Sequence, residues 1–178
     1  MRKSGRLPVL FLGLFAWQCR DAGDLAPAAN PIVSDEDLYS HIIHDQPYFA
    51  YSLFPKADSV TAGTLNGSTA HRPMVRVSMN DIALNSLPGG KLPTGGEFAE
   101  GSVIVKEILE NGATTVLAVM YRDRAHSASG QGWLWAEYTT AGNTLFSINS
   151  RGSGCISCHS REQGLQNDLV RTFERQHP

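Results

Sequence analysis

The fold is decided by residues 102–121, which read SVIVKEILENGATTVLAVMY. Two runs of mainly β-branched and apolar residues flank Asn111-Gly112, a dipeptide that favours a tight hairpin turn. The alternating pattern of each run is typical of a strand that is buried on at least one face. The stretch therefore predicts a β-hairpin, with strands over 102–109 and 114–121.

Further strands and helices are predicted on both sides of this hairpin. Alternating apolar residues predict strands over 74–79, 132–138 and 143–148. Capping residues and apolar spacing predict helices from Ser34 to Pro47, after Asn80 through Leu87, and from about Asn167. The expected fold class is α+β: a mostly antiparallel sheet of about five strands with flanking N- and C-terminal helices.

Length, composition and charge restrict the class of protein. The 178 residues suggest one domain, and 42% hydrophobic residues against 18% charged ones are enough for a packed core. The formal net charge is −2, and the sequence contains no run of Lys or Arg. Nucleic acid is therefore not expected as a partner.

The N-terminal segment has the features of an export signal. Three basic residues precede an apolar stretch over 8–17, which is too short to cross a bilayer. We predict a signal over 1–25 and one domain over 26–178, with a buried N-terminal helix as the alternative. A periplasmic or exported protein without a transmembrane span is expected.

Cys19 follows the apolar stretch at the place where a lipoprotein cysteine lies. Lipoprotein signals have a small residue before that cysteine, and this chain has Gln18 there. A lipid anchor at Cys19 is therefore the less favoured of two fates, the other being removal with the signal.

Residues 155–159, Cys-Ile-Ser-Cys-His, carry the clearest chemical signal. Two thiols at this spacing can add to the vinyl groups of haem while the adjacent imidazole binds the iron. The motif predicts one covalently attached haem c, held by Cys155 and Cys158, with His159 as axial ligand. A zinc site would need two more soft ligands, and a redox dithiol favours an early position in a βαβ unit; both remain alternatives.

The second axial position of such a haem has no obvious protein ligand. The candidates are Met74, Met79, Met120, His71 and His126. Core packing explains the methionines equally well, and both histidines lie in predicted loops. We therefore expect an open coordination site, which binds small molecules rather than only passing electrons.

Lys106 is unusual because it shares a strand face with Ile104 and Ile108. Burying a lysine is costly unless its amine is paired or used in chemistry. An edge strand would instead let the amine reach water or pair with Glu107. Periodicity alone favours this second explanation.

Several segments of the chain resemble the cytochrome P-460 family, in the family's order. They are the strand 75–80 (VRVSMN), the run 97–107 (EFAEGSVIVKE), Trp133-Leu134-Trp135, the late Cys-x-x-Cys-His and the tail 168–173 (DLVRTF). The resemblance covers roughly residues 34–176. Its specific parts are the Lys106 segment and the haem motif.

The resemblance implies a homodimeric, sheet-rich periplasmic protein in which Lys106 is bonded covalently to the porphyrin. It implies a five-coordinate iron that takes hydroxylamine or nitric oxide, and it carries the family's distal arginine to Arg76, with Arg72 a poorer match. Enzymatic members oxidise hydroxylamine toward nitrous oxide or nitrite, which requires a redox partner for the electrons. The related sheet-type cytochromes c-prime bind gases in an apolar pocket without that activity.

One departure from the family pattern bears on the activity. Enzymatic members can use a distal carboxylate, but the matching stretch, Asn149-Ser150-Arg151, contains no acid. Glu137 could replace it, although a glutamate on a sheet surface is more often simply solvated. Three functions stay open: hydroxylamine oxidation, non-enzymatic gas binding, and electron transfer with a sixth ligand such as Met79, which the sheet-rich fold disfavours.

Overall fold

The computed structural model describes residues 31–55, 59–63, 70–161 and 167–170. Within these residues the chain forms an antiparallel sheet of seven strands in the order β1-β3-β4-β5-β6-β7, with β2 also paired to β3. The strands are β1 Ser52–Leu53, β2 Thr61–Ala62, β3 Met74–Met79, β4 Val103–Glu110, β5 Ala113–Arg122, β6 Trp133–Thr139 and β7 Thr144–Phe146. The expected fold class is confirmed, and the two strands beyond the predicted five are the two-residue β1 and β2.

Strands β4 and β5 form the predicted hairpin across Asn111-Gly112. Both turn residues have positive φ, 51° and 81°, as a two-residue turn that follows the strand twist requires. The pairing then shifts by one residue between Ile108 and Leu109. Thr115 is the extra residue of this β-bulge, and its hydroxyl donates to the Ile108 carbonyl at 3.2 Å. The bulge decides which β5 side chain lies beside each β4 side chain further along the hairpin.

The N-terminal helix α1, Asp35–Ser40, begins where the sequence predicts it. The Ser34 hydroxyl accepts a hydrogen bond from the Asp37 backbone N–H at 3.1 Å and donates to the Asp37 carboxylate at 2.8 Å. The chain continues as a π-helical turn over His41–Asp45 and leaves the helix before Pro47. Ser34 thus fixes the start of the helix that covers one face of the sheet.

The other helical segments are short. Helix α2, Asp81–Asn85, is capped by the Asn80 side chain, which accepts from the Ala83 N–H at 3.0 Å. The remaining segments are helix α3 (Cys155–His159) and the 3₁₀ turns Tyr48–Ala50, Pro88–Gly90 and Ile148–Ser150. The haem motif therefore forms a helix of its own after the sheet.

The helix predicted from about Asn167 is wrong for the part that the structure describes. Residues 167–170 form turns, and φ is positive at Asp168 (49°) and Leu169 (67°), a backbone conformation that no α-helix contains. Leu169 and Val170 are nevertheless buried, as the apolar pattern predicted. Residues 171–178 lie outside the described residues.

The sheet buries apolar side chains on both faces. On one face, Val103, Val105 and Leu117 pack with Leu38 and Ile42 from the N-terminal helical segment. The other face carries a second cluster that includes Val75, Val77, Ile104, Met120, Trp135 and Val170, against which Cys155 and Ile156 pack. The two faces are thus covered by opposite ends of the chain.

The predicted export signal over residues 1–25, with Cys19, lies outside the described residues. In the part of the chain that the structure does describe, no helix combines the length and the apolar character that crossing a bilayer requires.

Candidate functional site

A single row of side chains crosses the sheet at the centre of the candidate site. Register places Val77 beside Lys106, Lys106 beside Ala118, Ala118 beside Glu137, and Glu137 beside Phe146. Paired residues of neighbouring strands project on the same face, so the row presents one amine and one carboxylate on an otherwise apolar surface. All five residues line one cavity.

This cavity has a volume of about 250 Å³ and lies between the sheet and helix α3. Its sheet side is largely apolar, with Val75, Ile104, Met120 and Trp135 among the lining residues. Cys155, Cys158 and His159 line it from the helix side. The fold therefore brings the predicted haem-attachment residues and Lys106 together at this cavity.

The approach of the chain to helix α3 depends on glycine. Gly152 has φ of 70°, and a Cβ added there would lie 2.6 Å from the Trp135 ring. Only glycine fits this close approach without moving the indole. The Trp135 ring in turn lies edge-on to the His159 ring, with 4.9 Å between ring centroids. Gly152 therefore allows the tryptophan and the motif histidine to pack together.

His159 has a defined orientation in the site. Its Nδ1 lies 2.7 Å from the Leu169 carbonyl oxygen, and because a carbonyl can only accept, Nδ1 carries the hydrogen. In the neutral ring the lone pair is then on Nε2. A histidine that donates from one ring nitrogen to a backbone carbonyl and offers the other to a metal is the usual arrangement of metal-binding histidines.

Lys106 and Glu137 are connected through His71. The Lys106 Nζ lies 3.3 Å from Nδ1 of His71, and the His71 Nε2 lies 3.7 Å from Oε1 of Glu137. An ammonium donates, so Nδ1 accepts and Nε2 carries the hydrogen that faces the carboxylate. The three polar side chains thus form a chain of contacts at the cavity, across the small side chain of Ala118.

The comparisons with known proteins agree with this geometry. The sequence profile described as Cytochrome P460 matches residues 58–172, which is well over half of the chain. The chain belongs to the cytochrome P460 family. A search among curated proteins found no match. Membership of this family implies a haem cofactor, and the resemblance found in the sequence is confirmed.

The residues at the cavity fit the haem that the family implies. Two thiols and one imidazole from helix α3 open onto the same space, opposite an apolar sheet surface. This is the donor set for two thioether bonds and one axial bond to iron. Within the described residues, no group of three or more His, Cys, Asp and Glu side chains is arranged to hold a metal ion directly, so the zinc alternative gains no support.

The environment of Cys155 in this P460 family member bears on the redox-dithiol alternative. Burial raises the pKa of the Cys155 thiol to about 11, and the nearby Glu137 carboxylate adds to the effect. A thiol with so high a pKa stays protonated at neutral pH. The nucleophile of a redox dithiol is instead activated by a lowered pKa. Cys155 is therefore poorly suited to be the nucleophile of a redox dithiol.

Arg76 lies on the other side of the sheet from the cavity. Its Nη1 lies 3.2 Å from Oε2 of Glu107, and Glu107 also accepts from the Thr114 hydroxyl at 2.8 Å. Val75 and Val77 line the cavity, so the residue between them projects to the opposite face. The structure therefore does not bring Arg76, the predicted distal arginine, to the cavity.

The candidate sixth ligands are also separated by the fold. Met120 and His71 line the cavity, whereas Met79 is fully buried in the core and Met74 is 38% exposed. The His126 Nδ1 accepts a hydrogen bond from the Ala128 N–H at 2.9 Å, within its own loop. Only Met120 and His71 of the five are therefore placed at the site.

Sequence reasoning considered His71 only as a possible sixth iron ligand, without its contact to Lys106, and it undervalued Glu137. His71 lies in a loop, and no periodic pattern relates it to Lys106. Glu137 could have been found from strand register, since it shares the row of Lys106 and Ala118. That register depends on the bulge at Thr115, for which the sequence gives no clear signal.

Proposed function

We propose that this chain is an exported haem c protein in which Cys155 and Cys158 form thioether bonds to one haem and His159 is the axial iron ligand. The observation that carries the proposal is the convergence of these three residues and Lys106 on one cavity. The Nδ1–H orientation of His159 supports it. Export through the N-terminal signal agrees with c-type haem, which is attached outside the cytoplasm.

Lys106 is, in this proposal, a third covalent tie between the chain and the porphyrin. Its amine is half-buried at the cavity and lies in the same cross-sheet row as Glu137. A lysine among apolar residues is costly to bury unless it is used, and the His71 contact holds the amine at the cavity. A covalent nitrogen substituent on the macrocycle would change the electronics of the iron.

The proposed reaction is the oxidation of a small nitrogen compound such as hydroxylamine. A haem held by Cys155, Cys158 and His159 would supply the iron centre at which the nitrogen compound binds and is oxidised. Glu137 and His71 are the groups placed to accept protons at the cavity, and their mutual contact at 3.7 Å allows a proton to be shared. His71 is engaged by Lys106 and Glu137 through its two ring nitrogens, which supports an iron without a histidine as sixth ligand. A redox protein would receive the electrons, and the family resemblance supports a homodimer.

Non-enzymatic binding of nitric oxide or another gas is the second candidate function. The observation that favours it is the apolar character of the sheet side of the cavity, where Val75, Val77 and Ile104 contribute to the lining. An apolar surface of this kind admits a small uncharged ligand. The two functions therefore differ in whether Glu137 and His71 act on the bound molecule.

The first experiment is the absorption spectrum of the reduced, haem-loaded protein, followed by mass analysis of its proteolytic digest. We expect a strongly red-shifted Soret band and a haem peptide that contains both residues 155–159 and Lys106. An ordinary haem c spectrum together with a free Lys106 peptide would exclude the lysine link. Loss of the haem on extraction with acidified acetone would exclude the thioether bonds.

The second experiment separates the enzyme from the gas-binding protein. Hydroxylamine turnover with an artificial electron acceptor is compared in the wild type, Glu137→Gln and Glu107→Gln. Glu107 is a matched control because it lies on the opposite face, beside Arg76. We expect Glu137→Gln to lower the turnover number roughly 100-fold, as for loss of a proton acceptor, and Glu107→Gln to leave it unchanged at equal haem content. An iron that binds hydroxylamine visibly without any turnover would favour gas binding.

A further inference from the structure

The residue that holds the motif histidine lies in an unusual piece of backbone. The Leu169 carbonyl accepts the hydrogen bond from Nδ1 of His159 at 2.7 Å. Leu169 has φ of 67°, and the preceding Asp168 has φ of 49°. Two consecutive residues other than glycine in the left-handed region are unfavourable, and such a conformation persists only where the surroundings enforce it.

The enforcing contacts converge on Asp168, which is 9% exposed. Its carboxylate accepts from the Phe98 backbone N–H at 2.9 Å and lies 3.1 Å from Nη1 of Arg122. Its carbonyl oxygen accepts from the Trp133 indole N–H at 3.1 Å. Three donors from three separate parts of the chain therefore fix both the side chain and the backbone of this one residue.

Arg122 is itself held in place. It is 2% exposed, its Nη1 donates to the Gln131 carbonyl at 3.2 Å, and its guanidinium lies over the Trp133 ring at 5.0 Å. Burial lowers the pKa of Arg122 and raises that of Asp168, while each partner opposes the shift of the other. A buried ion pair of this kind, if broken, leaves an uncompensated charge. The cluster is thus buried and interconnected, and it is built around the segment that contacts His159.

We propose that Asp168, clamped by Arg122 and Trp133, is a positioning residue that sets the iron chemistry of the site through the Leu169 carbonyl and His159. The inference rests on the proposed function, in which His159 is the axial ligand. Asp168, Arg122 and Trp133 form what we call the clamp. None of the three lines the cavity, so their action on the iron passes through His159.

The physical link is the strength of the hydrogen bond at Nδ1. A carbonyl held on the Nδ1–H raises the basicity of the imidazole and makes it a stronger electron donor to the iron. A stronger donor stabilises the ferric state more than the ferrous state. Loosening the clamp lets the Leu169 carbonyl move away, weakens the iron–histidine bond and raises the reduction potential of the haem.

The test compares Asp168→Asn and Trp133→Phe with Glu97→Gln in the haem-loaded protein. Asp168→Asn places an amide between two donors, and Trp133→Phe removes the indole N–H while keeping a smaller aromatic ring. Glu97→Gln is the matched control, because Glu97 is exposed and its carboxylate lies 3.5 Å from Nη2 of the same arginine. The measurements are the midpoint potential and, in the ferrous protein, the iron–histidine stretching frequency by resonance Raman spectroscopy.

We expect both clamp variants to lower the stretching frequency. We also expect the ratio of reduced to oxidised haem at a fixed ambient potential to rise roughly tenfold in Asp168→Asn, in the range known for lost partners of metal ligands, and less in Trp133→Phe. Glu97→Gln should match the wild type in both measurements. A lower melting temperature of the variants with an unchanged potential and frequency would show that the cluster only supports the fold, and would overturn the proposal.

Failure of a variant to fold and absence of haem from the wild type each have a defined meaning. If Asp168→Asn does not yield folded protein, Trp133→Phe alone decides, because it keeps an aromatic ring beneath Arg122. The haem content of the wild type is measured first by its pyridine haemochrome spectrum. A wild type without haem c refutes the proposed function and this inference together, whereas a loaded wild type with insensitive clamp variants refutes only this inference.

Discussion

Neighbouring residues of strand β4 show how differently the two faces of the sheet are used. Glu107 projects to the face covered by the N-terminal helix, where Arg76 lies beside it and the Thr114 hydroxyl donates to it. Lys106 projects to the cavity face, where it meets His71. Both are charged residues within an apolar strand. Glu107 forms an ion pair with Arg76, whereas Lys106 faces a cavity that can hold a ligand.

The cross-sheet rows next to these two residues explain the difference. The row of Glu107 continues to Leu117 and Tyr138, large side chains that are almost fully buried. The row of Lys106 continues through Ala118, which leaves room above the sheet. In this sheet, the side chain in the middle of each row therefore makes the difference: the larger Leu117 belongs to the core, and the smaller Ala118 leaves a cavity.

The largest expected effect comes from replacing the charged residue of the cavity face. Lys106→Arg keeps the positive charge but removes the amine that forms the proposed link to the porphyrin. We expect the red-shifted Soret band of the reduced protein to move to the position of an ordinary haem c, with the thioether bonds intact. The measurement is the reduced spectrum combined with the mass of the haem peptide.

Arg76→Gln is the control for this change, because it removes a charge from the opposite face at the neighbouring strand position. Its reduced spectrum should equal that of the wild type. A Lys106→Arg protein that keeps the red-shifted band would show that the band has a cause other than the lysine, and the contrast between the faces would lose its chemical meaning.

The next effect tests the small residue against its large neighbour. Leu117 is 1% exposed on the sheet face covered by the N-terminal helix, which we call the closed face. Leu117→Ala should lower the free energy of unfolding by about 2–5 kcal/mol. Ala118→Leu instead fills the cavity, and we expect nearly normal stability but little bound haem. Urea unfolding and the ratio of haem to protein measure the two outcomes. Normal haem content in Ala118→Leu would show that the haem does not occupy this cavity.

The sequence sufficed for the sheet because its signals are local. The Asn111-Gly112 turn, the Ser34 cap and the Asn80 cap all appear where their residue types predicted them. It did not suffice for the segment after Asn167, whose apolar spacing suggested a helix. There the buried contacts of Asp168 override the local preference, and no short window of sequence contains Arg122 or Trp133, which make those contacts.

The site was predictable where its residues form a motif or stand out on a strand face, as Lys106 does. Cys155, Cys158 and His159 follow from one pentapeptide, and all three line the cavity. Arg76 was assigned to the distal site from the family resemblance. A register shift of one residue changes the sheet face on which a side chain projects, because alternate residues of a strand face opposite sides. His71 reaches Lys106 from a loop, and such a contact depends on the path of the chain in space, which periodicity does not describe.

A smaller effect comes from His41, a titratable group on the closed face. His41 is 3% exposed and lies edge-on to the Tyr121 ring at 5.5 Å, and its Nδ1 is 3.6 Å from the Asp45 carboxylate. Burial lowers the pKa of His41 below its ordinary value of 6.5, and Asp45 only partly opposes this. The stability that the neutral ring provides is therefore complete above pH 6.5 and is lost as the pH falls below that value toward the folded-state pKa.

We expect the urea midpoint of the wild type to fall between about pH 7.5 and about pH 5.5, and that of His41→Phe to fall less. The difference between the two proteins isolates the histidine from all other titrating groups. An equal decline in both proteins would show that the ring is protonated without cost, and that the closed face admits water.

The smallest effect is expected from the ion pair of the closed face. Arg76 is 40% exposed and Glu107 is 8% exposed, so water still reaches the guanidinium after the pair has formed. Exposed pairs contribute little because the high dielectric of water weakens the attraction and the side chains lose freedom. Arg76→Gln should therefore lower the free energy of unfolding by about 1 kcal/mol or less, measured by urea unfolding.

Since Thr114 remains as a donor to Glu107, the carboxylate keeps a partner in the variant. A loss of several kcal/mol, or any change in haem content, would show that the two faces are coupled through strand β3, and the division into a structural face and a chemical face would then be too simple.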